Sequence, residues 1–168
     1  ETEARIIAET CNHPGVKSMI LDVEPYAGFW QGGREAIRPF MMRIRQLVTD
    51  ARFHIGMSMD PRPWHYASIF PEEWFPFIES VHPQCYWHTF RNTPEATLQQ
   101  MMDTWASYGR PIYSALQGDA PLEEQKTAHT LATQRHGNQG VSWWRYGVIS
   151  QFGAVNMPVE IDPGEEPG

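Results

Sequence analysis

Apolar and polar positions along this chain switch period repeatedly, between alternation at every second residue and stripes at every third or fourth. Phe53, Ile55, Met57 and Met59 alternate with His54, Gly56, Ser58 and Asp60, which predicts a strand over 53–60 with one greasy and one polar face. Ile37, Phe40, Met41, Ile44, Leu47 and Val48 instead share one stripe and predict a helix over 34–50. Pro39 lies inside that helix, where it either kinks it or marks its true first turn. The same reading gives the end of a helix at 2–11, a turn at Asn12-His13-Pro14-Gly15 and a first strand over 19–24. A Pro-rich loop at 61–64 leads to a helix around 72–80 and a third strand at 84–88. Thr93 as N-cap and Pro94 at the first position open another helix, closed by Tyr108-Gly109. The fourth strand is 112–116, a helix covers 121–135 up to His136-Gly137, and the last strand is 141–146. From residue 158 onward Pro, Gly and Glu dominate, which predicts a disordered tail over 158–168.

Strand and helix thus alternate in units of roughly 30 residues, which implies a parallel sheet joined by right-handed crossovers. Polar residues gather at the carboxyl ends of successive strands, where a (β/α)8 barrel carries its active site. A complete barrel needs about 250 residues. This chain has 168, so residues 1–157 read as an α/β, TIM-barrel-like fragment covering strands four to eight. Glu1 is not a translation start, which fits an excised piece. The strands should then form one parallel sheet in sequential order. The edges that strands one and three would cover should recruit partners, so the isolated chain is expected to self-associate. A doubly wound open sheet is the structural rival, but no Gly-rich phosphate loop follows any strand.

Composition narrows the partners. A net charge of -7 argues against nucleic acid, whose phosphate backbone calls for a basic patch. No apolar run reaches the ~18 residues of a membrane span, and no signal peptide opens the chain. Aromatics alone stand out, with seven Trp, six Tyr and eight Phe against an otherwise ordinary composition. Cys11 and Cys85 lack metal-ligand spacing and are expected as buried free thiols, with a disulfide as the alternative. They do not fix a redox compartment.

The densest chemistry lies in Ser18-Met19-Ile20-Leu21-Asp22-Val23-Glu24-Pro25. The apolar run predicts a strand buried on both faces, ended by two carboxylates and a proline. Strand side chains alternate, so Asp22 and Glu24 project to one side, roughly 6 to 7 Å apart. Two acids at the end of a buried strand are costly to desolvate, which points to function. A loop-solvated acid pair is the plain structural alternative.

On these strands the residues resemble glycoside hydrolase barrels that carry Asp-x-Glu at the end of strand four, the family 18 chitinases and the family 25 lysozymes. Leu21-Asp22-Val23-Glu24 looks like their catalytic strand. Gln84-Cys85-Tyr86 is similar to the Gln-x-Tyr on strand six of plant-type chitinases. Gly140-Val141-Ser142-Trp143-Trp144 resembles the family 18 final strand, where a Gly and a Trp four residues on form the floor of the sugar site. Family 18 usually shows Asp-x-x-Asp-x-Asp-x-Glu; here Lys17 and Ile20 replace the two earlier acids.

The resemblance implies hydrolysis of an N-acetylated amino-sugar polymer, chitin or peptidoglycan, with no cofactor and no metal. Glu24 would be the general acid, its pKa raised by a neighbouring carboxylate. Asp22 would hold Glu24 or the substrate acetamide, whose oxygen is the nucleophile in family 18. Tyr86 would hydrogen-bond that acetamide, Gln84 would contact substrate, and Trp144 would lie flat beneath the sugar. Either aromatic could equally be a core residue, and Trp143 is expected to pack outward under helices. Asp60, at the mouth, would bind substrate or else start the Asp-Pro turn. Such an activity implies an extracellular or cell-wall location.

Two other readings compete. A metal-dependent hydrolase would draw on His54, His88 and Asp60. Yet no His-x-His or His-x-x-x-His occurs, and His54 lies early in its strand. His13, His65, His129 and His136 fall in loops or helices and are expected at the surface. Arg145 would pair with a rim carboxylate or face solvent. The other rival is a non-catalytic carbohydrate-binding or scaffold barrel. The missing family acids support it, as does a sheet that these strands alone cannot close.

Overall fold

The alternation at 53–60 becomes a strand with its greasy face covered, and four similar strands lie beside it in register. A computed structural model describes residues 1–105 and 107–145. The expected strand end at Tyr146, the stretch up to 157 and the tail 158–168 lie outside the described residues. The order is α1 (Thr2–Cys11), β1 (Ser18–Asp22), α2 (Arg34–Leu47), β2 (His54–Met59), α3 (Pro63–Ser68), α4 (Pro71–Trp74), a 3-10 turn (Phe75–Phe77) and β3 (Ser80–Cys85). Then come α5 (Pro94–Trp105), β4 (Tyr113–Gln117), α6 (Leu122–Thr130) with a π turn (Leu131–Arg135), and β5 (Gly140–Trp144).

The five strands pair in the order β1-β2-β3-β4-β5, all parallel. The sheet curls into half of a barrel. Its outer face is the core: Leu21, Ile55, Met57, Met59, Val81, Cys85, Leu116, Val141 and Trp143 meet Ile37, Met41 and Ile44 of α2 and Leu98, Met101 and Trp105 of α5, all buried. Trp143 therefore packs outward as expected. Both cysteines are free and buried.

The inner face carries the other parity: Ile20, Asp22, His54, Gly56, Ser58, Ser80, His82, Gln84, Tyr113, Ala115, Ser142 and Trp144. Gly56 is required there, since a Cβ would lie 2.7 Å from Ile20 Cδ1, 2.8 Å from Ser80 Oγ and 2.9 Å from His82 Nε2. Ser80 Oγ in turn joins His54 Nε2 at 2.8 Å and His82 Nε2 at 2.9 Å, while Tyr113 stacks on His82. At the amino ends of β2 and β3, Arg45 donates to the carbonyls of Phe53 and Phe77 and to the Glu79 carboxylate. Glu79 Oε2 accepts the Ile55 N–H at 2.8 Å, which completes the clasp.

Four expectations need correction. β1 ends at Asp22, so Glu24 lies just past the strand and not within it, and β1 is not buried on both faces: Ile20 and Asp22 are exposed, because β1 is a sheet edge with helices on one side only. β3 begins at Ser80 and ends at Cys85, not at 84–88. Pro83 lies inside it, and proline normally argues against a strand interior. Here the pairing to β4 runs from Val81↔Ile112 to Gln84↔Ala115, so the missing N–H falls in a gap of that ladder. The helix expected around 72–80 is instead the short α4 and a 3-10 turn, interrupted at Pro76. The loop expected at 61–64 opens α3, with Pro63 preset for the first helical turn.

Candidate active site at the strand carboxyl ends

β1 stops where Pro25 removes the next donor, and the Val23 N–H still reaches the Ser58 carbonyl at 2.9 Å. This last bond holds the chain against β2 and turns Glu24 inward, 4% exposed, while Asp22 stays open to solvent. Gln84 Nε2 donates to Asp22 Oδ1 at 3.1 Å and so ties β3 to β1 above Ser58. Although part of Asp22 is open to solvent, desolvation by the packed rim raises its pKa, and this hydrogen bond partly opposes the rise.

Glu24 has been pushed up to about 7, first by burial, then by the charges of Asp22 and Asp60; the Asp60 backbone N–H and the Gln84 amide act against this. Its Oε2 is buried without a hydrogen-bond partner. A carboxyl in that state is protonated for a large part of the time at neutral pH, and one oxygen is uncommitted. It can give a proton to a bound group.

Asp60 continues β2 into the same rim but is itself buried. Its Oδ1 accepts the Arg62 backbone N–H at 2.9 Å, the expected Asp-Pro turn. The Arg62 guanidinium then closes on both carboxylate oxygens. His65, expected at the surface, is fully buried against this pair, because the short α3 folds back over the rim. Its Nε2 lies 3.0 Å from Arg62 Nη2, 2.9 Å from the Tyr26 hydroxyl and 3.3 Å from Asp60 Oδ2. Nε2 is thus shared among three polar groups, while the buried Nδ1 has no hydrogen-bond partner. Burial lowers the His65 pKa, Asp60 opposes that, and Arg62 adds to it.

On the other side of Gln84, Tyr86 stacks on Trp144 with centroids 6.1 Å apart and planes 27° apart. Burial raises the Tyr86 pKa, and the charges of Asp22, Cys85 and Glu24 add to it. Trp144 is 53% exposed, too open for a core aromatic. Gln117 of β4 fixes the loop after β3: its Oε1 accepts the N–H groups of His88 and Thr89, and its Nε2 donates to Thr89 Oγ1 and Asp119. A cleft of about 270 Å³ runs along the open edge of β1 between Asp22, Phe29 and Trp30 and the helix residues Ile7, Phe40 and Trp74; of the rim residues Asp22 alone lines it.

Asp22, Glu24, Asp60, Gln84, Tyr86 and Trp144 therefore share one rim. His54 and His88 do not join Asp60. His54 is bound to Ser80 lower on the inner face, and His88 is exposed, 3.9 Å from Glu124. Among the described residues no His, Cys, Asp and Glu cluster could hold a metal. His13 is exposed as expected, whereas His129 and His136 are half-buried, and His129 stacks on Trp143. Arg145 is exposed. Arg62, His65 and Tyr26 are the rim residues that sequence reasoning missed. Asp60 at the end of an alternating strand, followed two residues on by Arg62, was the available signal for the first of them. Comparison with family models, curated proteins and solved structures finds no match for this chain.

Proposed function

We propose that this chain is the carboxyl-terminal part of a glycoside hydrolase-like barrel, strands four to eight, acting on an N-acetylated amino-sugar polymer such as chitin or peptidoglycan. The observation that carries the reading is Glu24, buried, raised to about 7 and set between two further carboxylates beside a stacked Tyr86–Trp144 pair. Glycoside cleavage needs an acid to protonate the leaving oxygen and a group to stabilise an oxocarbenium-like sugar. Glu24 is the acid. Asp22, held by Gln84, positions the acetamide of the substrate, whose oxygen attacks the anomeric carbon in the substrate-assisted variant of this chemistry. Tyr86 hydrogen-bonds that acetamide, and the exposed face of Trp144 supports the pyranose. The glycan is the partner, and the working location is extracellular or in the cell wall.

A non-catalytic carbohydrate-binding or scaffold barrel is the second reading. Ile20, exposed on the inner face where the resembling family carries an acid, favours it. Hydrolysis of soluble amino-sugar oligomers by the full-length protein separates the two. Glu24→Gln keeps the shape and removes the transferable proton, so turnover should fall on the order of 10²-fold or more with binding nearly unchanged. Turnover equal to that of the parent would refute Glu24 as the acid. Binding with no turnover in the parent would favour the scaffold reading.

A further inference from the structure

Of the tryptophans among the described residues, Trp74, Trp87 and Trp105 are at most 1% exposed, whereas Trp64 is 58% and Trp144 53% exposed. Trp144 has a place in the proposed site. Trp64 does not, yet it is no loose surface residue. Its ring sits against His65, with centroids 3.2 Å apart, and the Arg62 guanidinium lies 5.7 Å from its centroid. Arg62 and His65 are themselves in contact through Arg62 Nη2 and His65 Nε2, so the two groups beside the indole support each other. More than half of the Trp64 surface stays open to solvent. Arg62 is anchored by Asp60, and Asp60 by the end of β2, so the exposed ring is mounted on the rigid sheet.

The rings also connect. From Trp144 the contacts run to Tyr86, from Tyr86 to Phe90 at 6.0 Å, and from Phe90 to the Arg62 guanidinium at 4.3 Å. They continue to Trp64, to His65 and to Tyr26, whose ring lies 5.1 Å from His65. One ribbon of flat groups therefore follows the rim from β5 to the loop after β1. A flat, pre-positioned aromatic loses little conformational freedom when a ligand settles on it. Rings interrupted by the Arg62 guanidinium, on the rim that also carries Gln84 and Asp22, suit a chain of pyranoses, which present apolar CH faces and hydroxyl edges. A protein partner would call for a broader continuous apolar area.

We propose that Trp64, supported by Arg62 and His65, is a second glycan station, binding sugar units of the same amino-sugar chain beyond the unit held at Trp144. This rests on the amino-sugar hydrolase reading and adds chain-length selectivity to it. The site takes polymer in preference to short fragments.

The test is binding of amino-sugar oligomers of increasing length to the full-length protein carrying Glu24→Gln, followed by calorimetry. Adding Trp64→Ala should lower the ratio of affinities, longest oligomer over disaccharide, about tenfold, and Trp64→Phe should restore most of it. Trp144→Ala should weaken short and long oligomers together and leave that ratio near its starting value. Should Trp64→Ala fail to fold, Trp64→Leu, which keeps bulk but lacks a flat face, carries the same expectation. An unchanged ratio in a folded Trp64 variant, with oligomers still bound and hydrolysed by the parent, overturns the second station and leaves the hydrolase reading standing. No binding of any amino-sugar oligomer by the parent overturns both.

Discussion

At Glu24, burial and two neighbouring carboxylates act in the same direction, and the carboxyl settles near neutrality. The share due to Asp22 can be isolated. Asp22→Asn retains an oxygen for the Gln84 amide but removes the charge, so the Glu24 pKa should fall toward the ordinary carboxylate range. Less of the acid is then protonated at neutral pH, and the alkaline limb of the kcat/KM profile should move to lower pH. An unmoved limb would show that Asp22 does not act through Glu24. Asp22 and Glu24 were legible in the sequence as two acids closing an apolar run before a proline, although β1 ends at Asp22 and burial of Glu24 depends on the chain beyond it. His65 was not. A histidine in a helix of six residues gives no periodic signal, and its burial depends on Asp60, Arg62 and Tyr26 arriving from two different loops.

Among the elements, β2 was read correctly to within a residue because both of its faces have distinct chemistry, greasy outward and polar or small inward. β3 was misplaced because Pro83 contradicts a strand locally and is tolerated only through a gap in pairing that depends on β4. The segment 61–78 was misread for a similar reason. Its prolines start and stop short helices, and nothing in their spacing says which. Gly56 is where element geometry can be tested directly. An added methyl would press into Ile20, Ser80 and His82 from the two neighbouring strands. Gly56→Ala should therefore destabilise the fold by about 1–3 kcal/mol, seen as a lower denaturant midpoint. A midpoint equal to the parent's would mean that the inner face is loose enough to absorb the group.

For the whole molecule, the sheet is half of a barrel, and its inner face is the part most dependent on what lies opposite. The raised Glu24 pKa couples that face to global stability. The folded state holds this proton up to about pH 7, whereas an unperturbed carboxyl releases it near 4.5. The resulting contribution is complete below pH 4.5 and is lost as pH rises through 7. Glu24→Gln abolishes the titration. Its melting temperature should match the parent's at pH 4 and exceed it at pH 8, by ~2–4 °C for each kcal/mol of relieved burial. A constant difference across that range would place the penalty elsewhere.

The Arg45 clasp lies at the other end of the strands from all of this. Two backbone carbonyls and a carboxylate, from the segments entering β2 and β3, converge on one guanidinium there. Nothing in that fastening touches the residues at the mouth. Replacing Trp64, lengthening the loop after β3 or exchanging Ile20 therefore leaves that seam intact, so the rim can change in small steps without loosening the fastening at the opposite end. Evolvability, on this view, is a property of where the arginine sits.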